Sequence, residues 1–422
     1  MNLVINLLSF TSVLKSVGSV LLAVGILLAM VTVHEFGHYV AGKILGFKIN
    51  EFAVGFGPAI FKRRSKRTGE LFALRVIPLG GYCAFDGEDE FEDEAAQKGE
   101  ESDGETADDE PFAELVSPDN EVQETEKDGG RDLTNEETDY PEPKGERFND
   151  QPPWKRIIVL IAGATMNYLL ALVLLFIMFG SYGCIHSYVG FRGETPPTAS
   201  EEVLNARDIV LSVNGQDIYL ATDYADALSG IKQGEEIVVE ILRKDDEGVW
   251  REKTLRIVAA VDCNFKSMTQ LDLACTALGL DPQLYGFASV TLKEGFWETV
   301  GSSFVYSFKI GGTVLRSLGE LVTGRIGLDS MGGPVTTIGV TAQAASSSFL
   351  SFLNIAAFIG VNLAVFNLLP IPALDGCKVI FCIIEWIRKK PVNRKVETMI
   401  HFIGIIALFA FAILVDLLQL FT

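Results

Sequence analysis

The sequence predicts a polytopic α-helical membrane protein with about four transmembrane helices, a membrane-associated β-hairpin region and an extracytoplasmic α+β domain. Three observations carry that prediction. Apolar stretches at Val13–Ala41, Arg156–Tyr182, Phe349–Leu369 and Thr398–Leu420 are each long enough to cross a bilayer. The clusters Lys62-Arg63-Arg64-Ser65-Lys66-Arg67, Lys155-Arg156, Arg388-Lys389-Lys390 and Arg394-Lys395 all fall on one side of that arrangement, which the positive-inside bias makes cytoplasmic. The acidity is also local. Of 55 acidic residues 27 lie in Asp86–Asp150 against 5 basic ones, so the formal charge of −20 belongs to one segment, the rest is near neutral, and nucleic acid is not an expected partner.

Residues 1–45 hold the first span, and no small-residue cleavage site marks it as a removable leader. In residues 46–85 the stretches Gly46–Arg63 and Glu70–Phe85 read as β-rich, with Gly55-Phe56-Gly57-Pro58 and Pro78-Leu79-Gly80-Gly81-Tyr82 as turns and strand ends. They are too apolar for a solvated loop, so a hairpin pressed against the membrane is expected. Residues 86–150 are acidic, lack aliphatic periodicity and are expected to be disordered, either as a plain solvated insertion or as a segment that repels substrates or binds a partner. Residues 151–182 hold the second span.

Residues 183–261 form the α+β domain, with strands flanking Asn214-Gly215, a short helix at Tyr224–Leu228 and a strand pair around Asp245–Gly248. Residues 262–345 are read as a linker and an amphipathic helical segment, with Trp297, Phe304, Phe308, Ile310 and Val314 on the outer membrane face or against the bundle. Residues 346–422 hold the third and fourth spans.

Chemistry enters at the end of the uncharged run Val17–Val33, where His34-Glu35-Phe36-Gly37-His38 follows directly. An HExxH segment puts two imidazoles one helical turn apart on one face, where both can bind a single Zn²⁺, with Glu35 close enough to act on a metal-bound water. The bland alternative is a chance pattern on an ordinary helix. Inside a span that alternative weakens, because two His and a Glu there are costly and usually functional. A catalytic zinc needs a third protein ligand. His186 lies beyond the outer end of the second span, and His401 opens the fourth without a partner motif. The group Asn367-Leu-Leu-Pro370-Ile-Pro372-Ala-Leu-Asp375-Gly376 places a carboxylate at the same leaflet depth as the histidines. On spacing alone Asp375 can equally cap a helix at the interface, and Cys377 is a rival thiolate.

Together these residues resemble the site-2 protease family of intramembrane zinc metalloproteases. HEFGH at 34–38 matches its HExxH, Asn367…Pro370…Asp375-Gly376 its NxxPxxxxDG, and Gly163-Ala-Thr-Met-Asn167 its GxxxN. Pro78–Tyr82 is similar to the family's hairpin element, Met331-Gly332-Gly333-Pro334-Val335 to its glycine-proline element, and Asp208–Gly215 to the PDZ domain of the bacterial branch that cleaves anti-sigma factors. The resemblance implies His34, His38 and Asp375 as zinc ligands, Glu35 as general base, and Asn167 and Asn367 as substrate-binding groups. It implies single-pass transmembrane substrates already shed by another protease, membrane lipid as surroundings, and a multi-pass protein of the bacterial inner (plasma) membrane with its active site towards the cytoplasm. Strands within Glu70–Phe85, along Phe72–Val76, are expected to hold the unwound substrate by strand addition.

Two features depart from the family pattern. There is room for one PDZ-like domain where two are common, and His186–Arg192 with Thr195-Pro-Pro-Thr-Ala does not match the usual peptide-carboxylate loop, which favours a size filter over peptide binding. Cys263–Cys275 is the expected disulfide if any of the outer cysteines pair. The competing readings are a catalytically inactive PDZ-bearing membrane adaptor and a four-span metal transporter. The transporter would have no need of a base between its ligands.

Overall fold

A computed structural model describes residues 2–88, 140–194, 200–245, 247–265, 267, 270–328 and 331–421. Helix α1 (Asn2–Leu45) leads into strands β1 (Ile49–Arg64) and β2 (Leu71–Phe85), and α2 is Pro153–Tyr182. A mixed region follows, made of β3 (Cys184–Phe191), β4 (Ile209–Val213), β5 (Gln216–Asp217), α3 (Asp223–Leu228), β6 (Glu236–Lys244), β7 (Trp250–Val258), α4 (Leu271–Ala277) and β8 (Tyr285–Leu292). The chain ends in helices α5 (Phe296–Val322), α6 (Pro334–Ser347), α7 (Phe349–Asn367), α8 (Asp375–Arg388) and α9 (Arg394–Phe421).

Among the described residues, four helices are long and apolar enough to cross a membrane: Ser16–Leu45 within α1, Pro153–Tyr182, Phe349–Asn367 and Arg394–Gln419. The bundle centres on α2, which packs on α1, α7 and α8. Those contacts are close because the facing residues are small, as membrane helices without a hydrophobic drive to associate require. A Cβ on Gly37 of α1 would lie 2.5 Å from the Ala162 carbonyl oxygen of α2, and one on Gly360 of α7 would lie 3.0 Å from Ala171 Cβ. Pro153 starts α2 where a missing N–H costs nothing, and Gly183 at φ +103° ends it by donating its N–H to Phe179.

Strands β1 and β2 make a sheet richer than a simple hairpin. Ile49–Val54 runs antiparallel to Gly81–Phe85, Ala59–Arg64 runs antiparallel to Leu71–Arg75, and Glu51–Val54 also pairs Leu71–Leu74 in the same direction. The segments therefore lie in the order 81–85, 49–54, 71–74, 59–64. Glycines make the reversals: a Cβ on Gly55 (φ +87°) would sit 2.7 Å from the Ile77 oxygen. The sheet is fixed to α1 by Glu70, 2% exposed, which pairs with Lys43 and accepts from Tyr39 Oη at 2.9 Å and Thr68 Oγ1 at 3.0 Å. Its outer part exposes Phe56, Ile60, Phe61, Leu74, Val76 and Ile77, an apolar surface of the kind that marks a contact with membrane or protein.

Of the acidic insertion, residues 89–139 lie outside the described residues, as does 195–199 with Thr195-Pro-Pro-Thr-Ala. The expectation of disorder for 86–150 is too broad at both ends. Asp86 pairs with Lys48 at 2.5 Å, Glu88 with Lys378 at 2.7 Å, and Phe148 is buried between Phe47 and Phe85. One aromatic residue in a polar stretch holds the returning chain to the body, and composition averages hide it.

The α+β region is also longer than 183–261. Its sheet order is β7-β6-β4-β3-β8, and β8 pairs β3 over its full length, so residues 262–292 belong to this core and not to a linker. Tyr224 of α3 stacks on Phe287 of β8 with centroids 4.0 Å apart. β8 was missed because Tyr285-Gly-Phe-Ala-Ser-Val-Thr-Leu alternates weakly and its partner is about a hundred residues earlier in the chain. Cys263 and Cys275 are unpaired thiols inside that core, and burial pushes the Cys275 thiol up to about 11.

Arg156, 1% exposed, donates to Glu385 at 2.5 Å, and its Nε and Nη1 have no partner among the described residues. Removing the carboxylate leaves a buried charge unpaired, at a cost of about 3–5 kcal/mol. Glu385→Ala is therefore expected to lower the thermal unfolding midpoint in detergent clearly, and Arg156→Met with Glu385→Leu to recover most of it. An unchanged midpoint in the single variant would mean that the guanidinium is solvated.

Candidate metal centre

HExxH lies on α1 at the point where that helix meets α2. His34 and His38 are 8% and 7% exposed, and their Nε2 atoms are 3.1 Å apart. Asp375, the first residue of α8, brings its Oδ2 to 3.0 Å from His34 Nε2 and 3.3 Å from His38 Nε2. Among the described residues these three are the His/Cys/Asp/Glu group that could hold a metal ion, and Cys377 takes no part in it. A tetrahedral Zn²⁺ with ligands at about 2.0–2.1 Å has ligand–ligand edges of about 3.4 Å, close to the three separations seen here.

The donor chemistry fits a cation better than an internal hydrogen-bond network. Asp375 Oδ2 is within ion-pair reach of both imidazoles, yet it is buried and makes no hydrogen bond with either. Three lone-pair atoms thus converge on one point. His38 Nδ1 donates to the Val159 carbonyl oxygen at 2.8 Å, which fixes the tautomer that leaves Nε2 free to bind.

His34 Nδ1 is 3.4 Å from the side-chain amides of both Asn167 and Asn367. Asn167 Oδ1 is buried without a partner among the described residues. An imidazole whose Nε2 faces a metal carries its proton on Nδ1 and needs an oxygen acceptor, so rotating the Asn167 amide satisfies both groups. The structure brings His34, His38 and Asp375 together with the Asn167 and Asn367 that the resemblance implies.

Two glycines make room for this site. A Cβ on Gly163 of α2 would lie 2.4 Å from His38 Nε2 and 2.7 Å from His34 Cε1. A Cβ on Gly81 would lie 3.3 Å from Glu35 Cγ, so the strand 81–85 runs beside the glutamate. Phe72–Leu74 is paired on both sides, whereas 81–85 has one strand neighbour among the described residues. The Val159 carbonyl and the Gly81 contact have no signature in residue type, and only α1–α2 packing and the sheet order reveal them. The remaining histidines lie elsewhere: His186 pairs with Glu294 at 3.0 Å, and His401 accepts from the Ala373 N–H at 3.2 Å.

The model of Peptidase family M50 matches residues 22–411. The chain is 30% identical over 417 residues to the "Regulator of sigma-W protease RasP" of Bacillus subtilis, covering 89% of this chain and 92% of that protein. It is 29% identical to the "Zinc metalloprotease RasP" of Bacillus licheniformis, with the same coverage, and 29% identical to a putative zinc metalloprotease of Clostridium perfringens, covering 92% and 94%. With HExxH in an apolar helix and a third donor, a carboxylate oxygen, beside it, the chain belongs to peptidase family M50, the site-2 proteases, and is a zinc metalloendopeptidase of the membrane.

Proposed function

We propose that the protein cuts the transmembrane segments of single-pass membrane proteins, with His34, His38 and Asp375 holding the zinc and Glu35 as general base. The observation that carries this reading is the meeting of three donors at 3.0–3.3 Å, two of them on a helix able to cross the bilayer and the third, Asp375, at the start of α8. Bound there, Zn²⁺ supplies Lewis acidity and brings the acidity of a water into the neutral range. The chain's own groups do the rest. Glu35 takes a proton from the attacking water and returns it to the leaving amine. Asn167, 1% exposed, turns its oxygen to the His34 Nδ1–H, and the more open Asn367 amide donates to the oxygen of the scissile carbonyl as it gains charge.

A helical substrate hides its carbonyls in its own hydrogen bonds and must be unwound before attack. The free edge of 81–85 offers unpaired backbone groups to the extended segment at the position of Glu35. The Lys and Arg clusters support a site on the cytoplasmic side of a bacterial inner membrane, with the PDZ-like domain at 184–292 outside, where it screens out substrates that still carry bulky outer domains. The name of the Bacillus subtilis relative makes anti-sigma factors a candidate substrate class here, and signal-peptide remnants are a second.

Purified wild type is expected to hold about one zinc and to cleave a model single-pass substrate, while Glu35→Gln keeps the metal and loses about 10²–10⁴ in rate. Zinc-loaded Glu35→Gln with wild-type cleavage would sink the proposed mechanism. Gly163→Ala drives a methyl between the two imidazoles, so zinc content after dialysis should fall by an order of magnitude or more with the secondary structure intact. For strand addition, proline placed singly at Tyr82 and at Cys83 samples both edges of the segment. One of the two should slow cleavage without loss of zinc, and full activity in both would remove 81–85 as the docking edge.

A further inference from the structure

We propose that His401, on the fourth span, is a positioning residue that holds the loop presenting Asp375. The proposal rests on the reading of Asp375 as a zinc ligand. Residues 368–374 connect α7 to α8, and Pro370 and Pro372 leave this short loop with few backbone donors. Ile371 donates to Leu369 at 2.8 Å and Leu374 to Ile371 at 3.1 Å. The Ala373 N–H goes outside the loop, to His401 Nδ1 on α9 at 3.2 Å.

Ala373 has φ +84°, a conformation that residues with a Cβ rarely adopt and that persists where the surroundings impose it. The imposing surface is one face of α9. His401 is 9% exposed, and one turn on a Cβ at Gly404 would lie 2.4 Å from Pro372 Cβ and 2.8 Å from its carbonyl oxygen. The His401 ring also meets Phe381 of α8, with centroids 6.0 Å apart. From the other side, a Cβ at Gly376 would lie 2.4 Å from the Leu369 oxygen. The loop is therefore held between the end of α7 and the His401–Gly404 face, and Asp375 takes its place from both. The neighbouring α9 residues Phe402, Ile403 and Ile406 are exposed, so this contact is local and does not follow from general helix packing.

The experiment measures zinc affinity by competition with a chromophoric chelator, and the alkylation rate of Cys377, a buried thiol two residues past Asp375. Both are read on the full-length protein in detergent. His401→Leu is expected to weaken zinc about 10–100-fold, as loss of a supporting hydrogen bond at a metal site does, and to speed alkylation. His401→Asn, which can place an acceptor near the Nδ1 position, should restore most of both, and Phe402→Leu should change neither. Gly404→Ala tests the same contact by overfilling it and replaces His401→Leu if that variant aggregates. Wild-type zinc affinity and wild-type alkylation in the folded variants would overturn the proposal. Asp375→Ala separates the two readings. If it keeps wild-type affinity, the ligand assignment fails, and the His401 contact then stands or falls on the alkylation rate.

Discussion

The close approach of α1 and α2 is the constraint on which the rest of the structure depends. Gly37 lets the α1 backbone come against the Ala162 carbonyl, and Gly163 leaves the space that the two imidazoles fill. A side chain at either position would push the helices apart by more than the tolerance of a metal site, whose ligand distances hold to about 0.2 Å. The same contact supplies the Val159 carbonyl that sets the His38 tautomer. Backbone proximity, ring orientation and the spacing of the donor atoms therefore follow from two missing Cβ atoms.

Buried polar groups are the second theme, because each needs a partner once water is excluded. The structure answers by pairing them within the protein. Glu70 collects Lys43, Tyr39 and Thr68, and Arg75 donates to Glu51, Tyr82 and the Gly57 carbonyl. Asp416 of α9 accepts from the Val335 N–H at 3.2 Å at the start of α6, where a Cβ on Gly333 would collide with its carboxylate. The glycine-proline element before the third span thus has a physical reason. The proline opens α6 and the glycine admits the carboxylate that caps it.

The site was legible in the sequence because it is built from rare residues in fixed patterns. HExxH fixes two donors by helix periodicity, whereas Asp375 could equally have capped a helix on spacing alone, and the family motif NxxPxxxxDG singled it out. The spans were legible for an equally simple reason, since about 20 apolar residues have one common fate. What escaped is what depends on pairing between distant segments. β8 reads as linker until β3 stands beside it, the free edge at 81–85 appears only once the four segments are ordered, and Phe148 looks like an accident in an acidic stretch. His401 was judged only as a metal ligand, and its contact with a backbone N–H has no signature in residue type.

The proposed ligands are distributed unevenly over the fold. His34 and His38 sit on one helix locked against α2 by small residues, whereas Asp375 begins a helix reached through a strained loop. Two donors are therefore fixed to the rigid core, and the third is held by contacts at the edge of the bundle. The free strand at 81–85 sits on the Glu35 side of this centre. On the proposed reading, a substrate running along that strand leaves the α1–α2 contact undisturbed, and the hairpin and the Asp375 loop are the parts left to adjust. A protease acting in lipid needs this division. It must open for a helix that is to be unwound, and it must keep the geometry that activates water while doing so.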